Sequence, residues 1–265
     1  VERCENNADY KLEQDPPYFA TRLMFNMTEG PLADKTLRQA ILYAINEEEI
    51  IEKVLRGAAI KGNAGYLSPG NLYYNDQVKQ YEHNVEKAKE LLNGKTYKFT
   101  LKTANTATAK LDVKVAELLK LQLEQVGIEI EVIASDLATN DEYVSTGNYE
   151  LALQSTGGYG GDPDMLREVF SVKQEASSVS GSVLHGFSHE KLQQLGTQQL
   201  VELDEEKRRV MINDMQEIIA EEAWIYPLYY KTNPNVIRKS KYDGFIYMYD
   251  HHWAYHAKLS YLEKE

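Results

Sequence analysis

Cysteine is nearly missing from this chain of 265 residues: Cys4 stands alone, which excludes an internal disulfide and a cysteine-based metal site and leaves the redox compartment open. Positive charge is also short. Lys and Arg number 29 against 41 Asp and Glu, giving a formal net charge of −12 and a pI near 5.1, which argues against nucleic acid or an anionic membrane surface as a partner. No apolar run approaches the roughly 18 residues of a membrane-crossing helix, and no start with a basic head and apolar middle reads as a signal segment. The chain opens at Val1 without an initiator methionine, which points to a processed or truncated chain. Phenylalanine is scarce at 6 residues, against 19 tyrosines, and rings with a hydroxyl tip suit half-wet surfaces such as clefts. A hydrophobic content of 43% supports a sizeable core, as one large domain or two smaller ones.

Residues 1–17 are polar and end in Pro16-Pro17, so they read as a lead-in with little regular structure. Tyr18 to Met27 then reads as a strand. Asp34 opens a helix carrying Leu37, Ala40, Ile41 and Ala44 at helical spacing, and Asn46 with Glu49 opens a second one through Ile50, Ile51 and Val54. Within them, Asp34 and Arg38 read as helix-start and packing residues. Ala58 to Gln80 reads as an extended connection, and Asn84 to Asn93 as helix. From Lys95 a strand (Tyr97, Phe99, Leu101), a long helix (Leu111 to Val126) and a second strand (Ile128, Ile130, Val132) follow in order. That order implies a parallel pair joined by a right-handed crossover. Glu129 and Glu131 mark a solvated face of the second strand. Thr139 with Glu142 predicts a capping box before a short helix, and Tyr149 to Gln154 a third strand. Later, Met165 to Phe170, Leu192 with Leu195, and the segment capped by Asp204 read as helices. In WIYPLYY (Trp224 to Tyr230), Pro227 argues for an edge or hinge position. The fold class is α/β with βαβ units.

The third strand runs into STGGYGGDPD, a glycine-rich loop closed by Asp162-Pro163. Glycines remove side-chain bulk and let a ligand approach the backbone, and α/β proteins place ligands where a strand gives way to a loop and then a helix. The four residues offered for ligand binding are Tyr159, Gly160, Gly161 and Asp162. Asp162 also suits a second role, capping the next helix.

Several stretches in sequence order resemble the extracellular solute-binding proteins of family 5, which serve ABC importers for oligopeptides, dipeptides and nickel. They are FNMTEGPLADKTLRQAILYAINEEEIIEKVLRGAA (25–59), KAKELL (87–92), LLKLQLEQVGIEIEV (118–132), GNYELAL (147–153), HGFSHEKLQQL (185–195), LDEEKRR (203–209) and IIAEEAWIYPLYY (218–230). The resemblance implies a periplasmic-binding-protein type II-like lobe lacking the N-terminal lobe. Residues 1–24 would then be a lead-in from that lobe, 25–230 the C-terminal lobe, and 231–265 the return to it. It implies a clamp that closes on a short peptide or a nickel chelate and delivers it to a membrane permease, in an extracytoplasmic place, periplasmic or as a cell-surface lipoprotein. In peptide-binding relatives an acidic residue in this loop meets the ligand's ammonium group, and Asp162 is the nearest match. Nickel-binding relatives carry aromatics in the loop where glycines 157 and 161 stand here.

No cofactor and no resident metal are expected. His252 and His256 have helical i, i+4 spacing, but the aromatics around them favour strand or coil, and there is no HExxH pattern. His185 and His189 read as surface residues. A hydrolase using Asp162 and Asp164 as acid and base finds no nucleophile motif or phosphate loop to support it. A sensory or interaction domain derived from a binding protein is the remaining alternative.

Overall fold

A computed structural model of the chain describes residues 4, 7–14, 17, 19–106, 110–157, 161–170, 184–232, 234–239, 242–243 and 263–264. In order, the elements are β1 (Tyr10–Gln14), β2 (Phe19–Phe25), a 3-10 turn (Pro31–Ala33), α1 (Lys35–Ala44), α2 (Glu47–Lys53), β3 (Ala59–Lys61) and α3 (Val85–Leu92). Then come β4 (Tyr97–Ala104), α4 (Lys110–Glu124), β5 (Ile128–Ser135), α5 (Leu137–Thr146) and β6 (Leu151–Thr156). The chain continues through α6 (Met165–Val169), α7 (Glu190–Gln199), α8 (Glu205–Glu222), β7 (Ile225–Lys231), β8 (Pro234–Arg238) and the two-residue strands β9 (Tyr242–Asp243) and β10 (Glu263–Lys264). No helix among the described residues is long and apolar enough to cross a membrane.

A six-stranded sheet of order β3-β7-β2-β6-β4-β5 carries the core. The βαβ expectation holds: β4 pairs in parallel with β5 on one side and β6 on the other. The remaining pairs, β2 with β6 and β7, and β3 with β7, are antiparallel. Central β2 is buried from Ala20 to Phe25, as a strand covered on both faces must be. Edge strand β5 alternates buried Ile128 and Ile130 with exposed Glu129 and Glu131. The caps fall largely where the sequence places them, with Asp34, Asn46, Asn84 and Asp204 each accepting a backbone N–H of the following turn. For α5 the cap is three residues earlier than expected. Asp136 accepts from the Thr139 N–H at 3.1 Å and from its hydroxyl at 2.7 Å, so Thr139 serves as the partner of the cap.

Two expectations are corrected. The polar lead-in is not irregular throughout, because β1 forms an antiparallel ribbon with β8. Backbone pairing with a segment far along the chain supplies the order that local alternation does not announce. The strand expected over Tyr18 to Met27 forms as β2, third in the order of the main sheet. Pro227 is not on an edge, because β7 lies between β3 and β2. The short β3 pairs only with Tyr229–Lys231, and the β2 register shifts between Thr21↔Tyr229 and Arg22↔Pro227. An interior proline is accommodated at such a bulge. Gly62 passes so close that a Cβ there would stand 1.7 Å from the Pro227 carbonyl oxygen. Gly62→Ala is therefore expected to destabilise the protein by about 1–3 kcal/mol, read as a lower urea midpoint. An unchanged midpoint would mean that the two backbones separate freely.

Candidate functional site

Because β4, β5 and β6 run in parallel, Ala104, Ser135 and Thr156 end at one edge of the sheet. Open α/β sheets bind ligands beyond such carboxyl ends. Register brings the start of β2 and the end of β7 to the same edge, through Ala20↔Thr156 and Phe19↔Lys231. The ribbon of β1 and β8 departs there too, its Gln14↔Pro234 end nearest the sheet in sequence. Both chain connections therefore leave the lobe beside the strand ends.

A cavity of about 280 Å³ opens at this edge, with Asp112, Asn140, Asp141, Gln154, Ser155 and Lys231 in its wall. Thr21, Ser155 and Tyr229 are in register on three adjacent strands, and the Ser155 and Tyr229 hydroxyls reach Asp112 in the first turn of α4. Lys231 Nζ donates to Ser155 Oγ at 2.9 Å and lies 3.7 Å from Asp112 Oδ1. Ser155 Oγ is 2.9 Å from Thr21 Oγ1 and donates to Asp112 Oδ2 at 3.4 Å, and the Tyr229 hydroxyl donates to Oδ1 at 3.4 Å. Burial pushes the Asp112 carboxyl above its usual range, against the pull of Lys231. One position further into the sheet, fully buried Arg22 donates to Gln154 Oε1 at 2.7 Å and to the Tyr66 hydroxyl. Asp141 stands exposed at the rim, its carboxyl also raised by partial burial and eased by Gln154.

Of the four residues predicted from the sequence, Tyr159 and Gly160 lie outside the described residues. Gly161 accepts from Asn71 Nδ2 at 2.9 Å. Asp162 Oδ1 accepts from the Asp164 N–H at 2.9 Å and from Arg208 Nη2 at 2.8 Å, with the side chain 61% exposed. Neither residue is in the wall of the cavity. Asp162 is not itself the N-cap of α6, although it accepts the N–H of the residue that is. Asp164 takes the N-cap position of α6, without a cap bond, and engages Arg167 and Gln199 instead. Asp112, Asn140, Asp141, Ser155 and Lys231 went unnoticed in the sequence, since nothing local says that residues so far apart meet at one strand edge. The available signal was positional: Ser155 and Lys231 each directly follow the last residue of a stretch read from the sequence, Tyr149 to Gln154 and Trp224 to Tyr230.

A larger cavity, about 400 Å³, lies where β4 and β6 begin, among Asn26, Glu29, Tyr149, Glu150 and His185. It faces away from the chain connections, which sets the strand-end cavity apart as the ligand candidate. His185 and His189 are not plain surface residues. His185 is half-buried with Nε2 2.8 Å from the Val144 carbonyl, and half-buried His189 caps α7 by accepting from the Leu192 N–H. His251, His252 and His256 lie outside the described residues. Among the described residues no group of three or more His, Cys, Asp and Glu is arranged to hold a metal.

Residues 1–178 match the family described as bacterial extracellular solute-binding proteins, family 5 Middle. A probable di/tripeptide-binding protein 5 of Pseudomonas aeruginosa is 26% identical over 237 residues, 88% of this chain and 44% of the relative. Heme-binding protein A of Haemophilus influenzae is 25% identical over 210 residues, 77% of this chain and 38% of its own. Among solved structures, the periplasmic binding protein DppA of Helicobacter pylori in complex with the peptide STSA superposes with a TM-score of 0.77 at 26% identity, covering 92% of this chain and 48% of that one. The chain thus spans less than half the length of these relatives, as one lobe of a two-lobed fold does.

Proposed function

The chain belongs to the family 5 bacterial extracellular solute-binding proteins, and from that premise we propose that it is the C-terminal lobe of a clamp that captures short peptides outside the cytoplasm and passes them to an ABC permease. One observation carries the reading: the strand-end cavity and both chain connections share one edge of the sheet. A second lobe reached through the β1 and β8 ribbon would therefore close over the cavity, as hinged binding proteins do. Residues 1–24 lead in from that lobe and join the sheet of this one through β2, and 231–265 return to it. The location is extracytoplasmic, periplasmic or as a lipoprotein at the cell surface, and the chemistry is capture without turnover. Tyr159, Gly160, Gly161 and Asp162 remain the loop through which the ligand backbone would be met, with Asp162 available to a ligand only in competition with Arg208.

Native mass spectrometry of the two-lobed protein, challenged with di- and tripeptides, with nickel-histidine and with heme, tests the ligand class. Retention of peptides alone is the expected result, while retention of the nickel chelate or heme alone, or of nothing, would overturn it. The isolated lobe is expected to bind at least a hundredfold more weakly, because half of the contacts that repay the cost of association are missing. Tight one-to-one binding by this lobe alone would contradict the clamp.

A further inference from the structure

Residues 63–74 cross between β3 and α3 as a series of turns, yet they are pinned in place. Asn63, Tyr66, Ser68 and Asn71 are all buried. Asn63 builds the first turn, its Oδ1 accepting from the Gly65 N–H at 3.3 Å and its Nδ2 donating to the Leu67 carbonyl at 2.9 Å. Inside that turn Tyr66 takes a φ of 79°. Left-handed backbone favours glycine, and a tyrosine keeps it only where its surroundings over-determine it. The side chain supplies the reason. Its hydroxyl accepts from Arg22 Nη1, its ring meets Phe170 edge-on with centroids 5.2 Å apart, and the Tyr66 carbonyl accepts from the Tyr230 hydroxyl at 2.9 Å.

These contacts reach two places. Arg22 also donates to Gln154 Oε1 at 2.7 Å, so Tyr66 stands behind a half-buried side chain of the strand-end wall. Asn71 reaches the loop instead. Its Nδ2 donates to the Gly161 carbonyl at 2.9 Å, while its Oδ1 accepts from the Tyr73 N–H at 2.9 Å. Phe170, the C-cap of α6, closes the stretch that Gly161 begins. One short segment therefore touches the cavity wall at one point and both ends of 161–170 at two others. Binding sites keep their geometry when the residues behind them are themselves locked.

We propose that residues 63–74 brace the strand-end cavity and the loop at Gly161 in one frame, with Tyr66 and Asn71 as positioning residues for the ligand. Neither is in the cavity wall, so they act through Arg22 and Gln154 on one side and through Gly161 on the other. The inference rests on the peptide reading above, and the test separates the two.

The two-lobed protein is titrated calorimetrically with trialanine, and amide hydrogen exchange is followed over 161–170, with α1 as the reference. Tyr66→Phe removes only the hydroxyl. Asn71→Asp keeps the acceptor for Tyr73 and sets a carboxylate oxygen against the Gly161 carbonyl. Each is expected to weaken trialanine binding about tenfold and to speed exchange over 161–170 by a similar factor, with α1 unchanged. Because both act on one frame, the double variant should lose about thirtyfold at most, short of the roughly hundredfold of independent sites. Gln154→Met alters the wall alone, and its effect should reach 161–170 as faster exchange in the parent while adding nothing in the Tyr66→Phe background. Should Tyr66→Phe fail to fold, Gln154→Met combined with Asn71→Asp completes the same cycle. Exchange over 161–170 that ignores Gln154→Met, a full multiplicative loss in the double variant, or single variants that bind trialanine as the parent does would each overturn the brace. Failure of the unaltered protein to bind trialanine overturns the peptide reading, and the exchange cycle then judges the brace by itself.

Discussion

Replacing Arg38 with methionine is expected to destabilise this protein by about 3–5 kcal/mol, measured as a shift in urea unfolding followed by tryptophan fluorescence. Arg38 is 2% exposed on α1, and its guanidinium donates to four carbonyls. Nη1 reaches Leu32 at 2.9 Å and Ala33 at 3.0 Å, Nη2 reaches Glu222 at 2.8 Å, and Nε reaches Ala223 at 3.1 Å. Glu222 ends α8 and Ala223 is its left-handed C-cap. The next residue, Gln39, donates to the Glu221 carbonyl at 2.7 Å. The Arg-Gln pair therefore closes the C-terminus of a helix far along the chain, where orphan carbonyls and the negative end of the helix dipole call for a cation. Burial lowers the Arg38 pKa and Glu222 pulls it back up, so the charge is held by these bonds. Methionine fills the volume but abandons the carbonyls. Lysine keeps the charge yet has no planar fork to reach both ends at once, so Arg38→Lys should recover less than half of the loss. A methionine variant as stable as the parent would show that water replaces the guanidinium at all four carbonyls.

The second large effect is on pH. Glu47, the first residue of α2, is 4% exposed, and neither of its carboxylate oxygens has a hydrogen-bond partner. Lys61 Nζ lies 3.6 Å away and is shared with Glu82 at 2.7 Å. Burial pushes the Glu47 carboxyl from 4.5 up to about 8, against the pull of Lys61 and the Tyr226 hydroxyl, while the charge of Glu82 adds to the rise. The folded protein thus keeps a proton that the unfolded chain releases near 4.5. The stabilisation is full below that pH and is lost as pH rises through about 8. At about 1.4 kcal/mol per decade, the loss is on the order of 3–5 kcal/mol. Glu47→Gln holds the neutral shape at every pH, so the variant should match the parent near pH 5 and exceed its stability at pH 8. Parallel stability profiles for the two proteins across that interval would show that Glu47 is not the group responsible.

How far the sequence reaches can be judged on the same residues. Arg38 was visible as a helix-start and packing residue, but its partners Glu222 and Ala223 were not, because no local pattern specifies which distant helix end will arrive. Asn46 was legible as the cap of α2, since the cap bond spans three residues. Glu47, next to it, reads as an ordinary acidic residue in a first turn, and only the packing of β3 and β7 over it removes its water. The predicted β4-α4-β5-α5-β6 run held because period-two and helical spacing are local and the crossover has one favoured hand. Pro227 misled because the rule for proline speaks of strand position, and an interior bulge satisfies it as well as an edge does.

The amino-acid sequence by itself determined the α/β class, the parallel strand units, most helix caps and the family, all of which depend on short-range spacing and residue type. Only the tertiary structure decided that Asp112, Ser155 and Lys231 form one polar wall, bonded from behind by Thr21 and Tyr229. It also decided that this wall, rather than the larger cavity at the other end of the sheet, lies beside the two chain connections. The physical reason is that strand register couples positions separated by most of the chain, and register is fixed by the burial of whole strand faces.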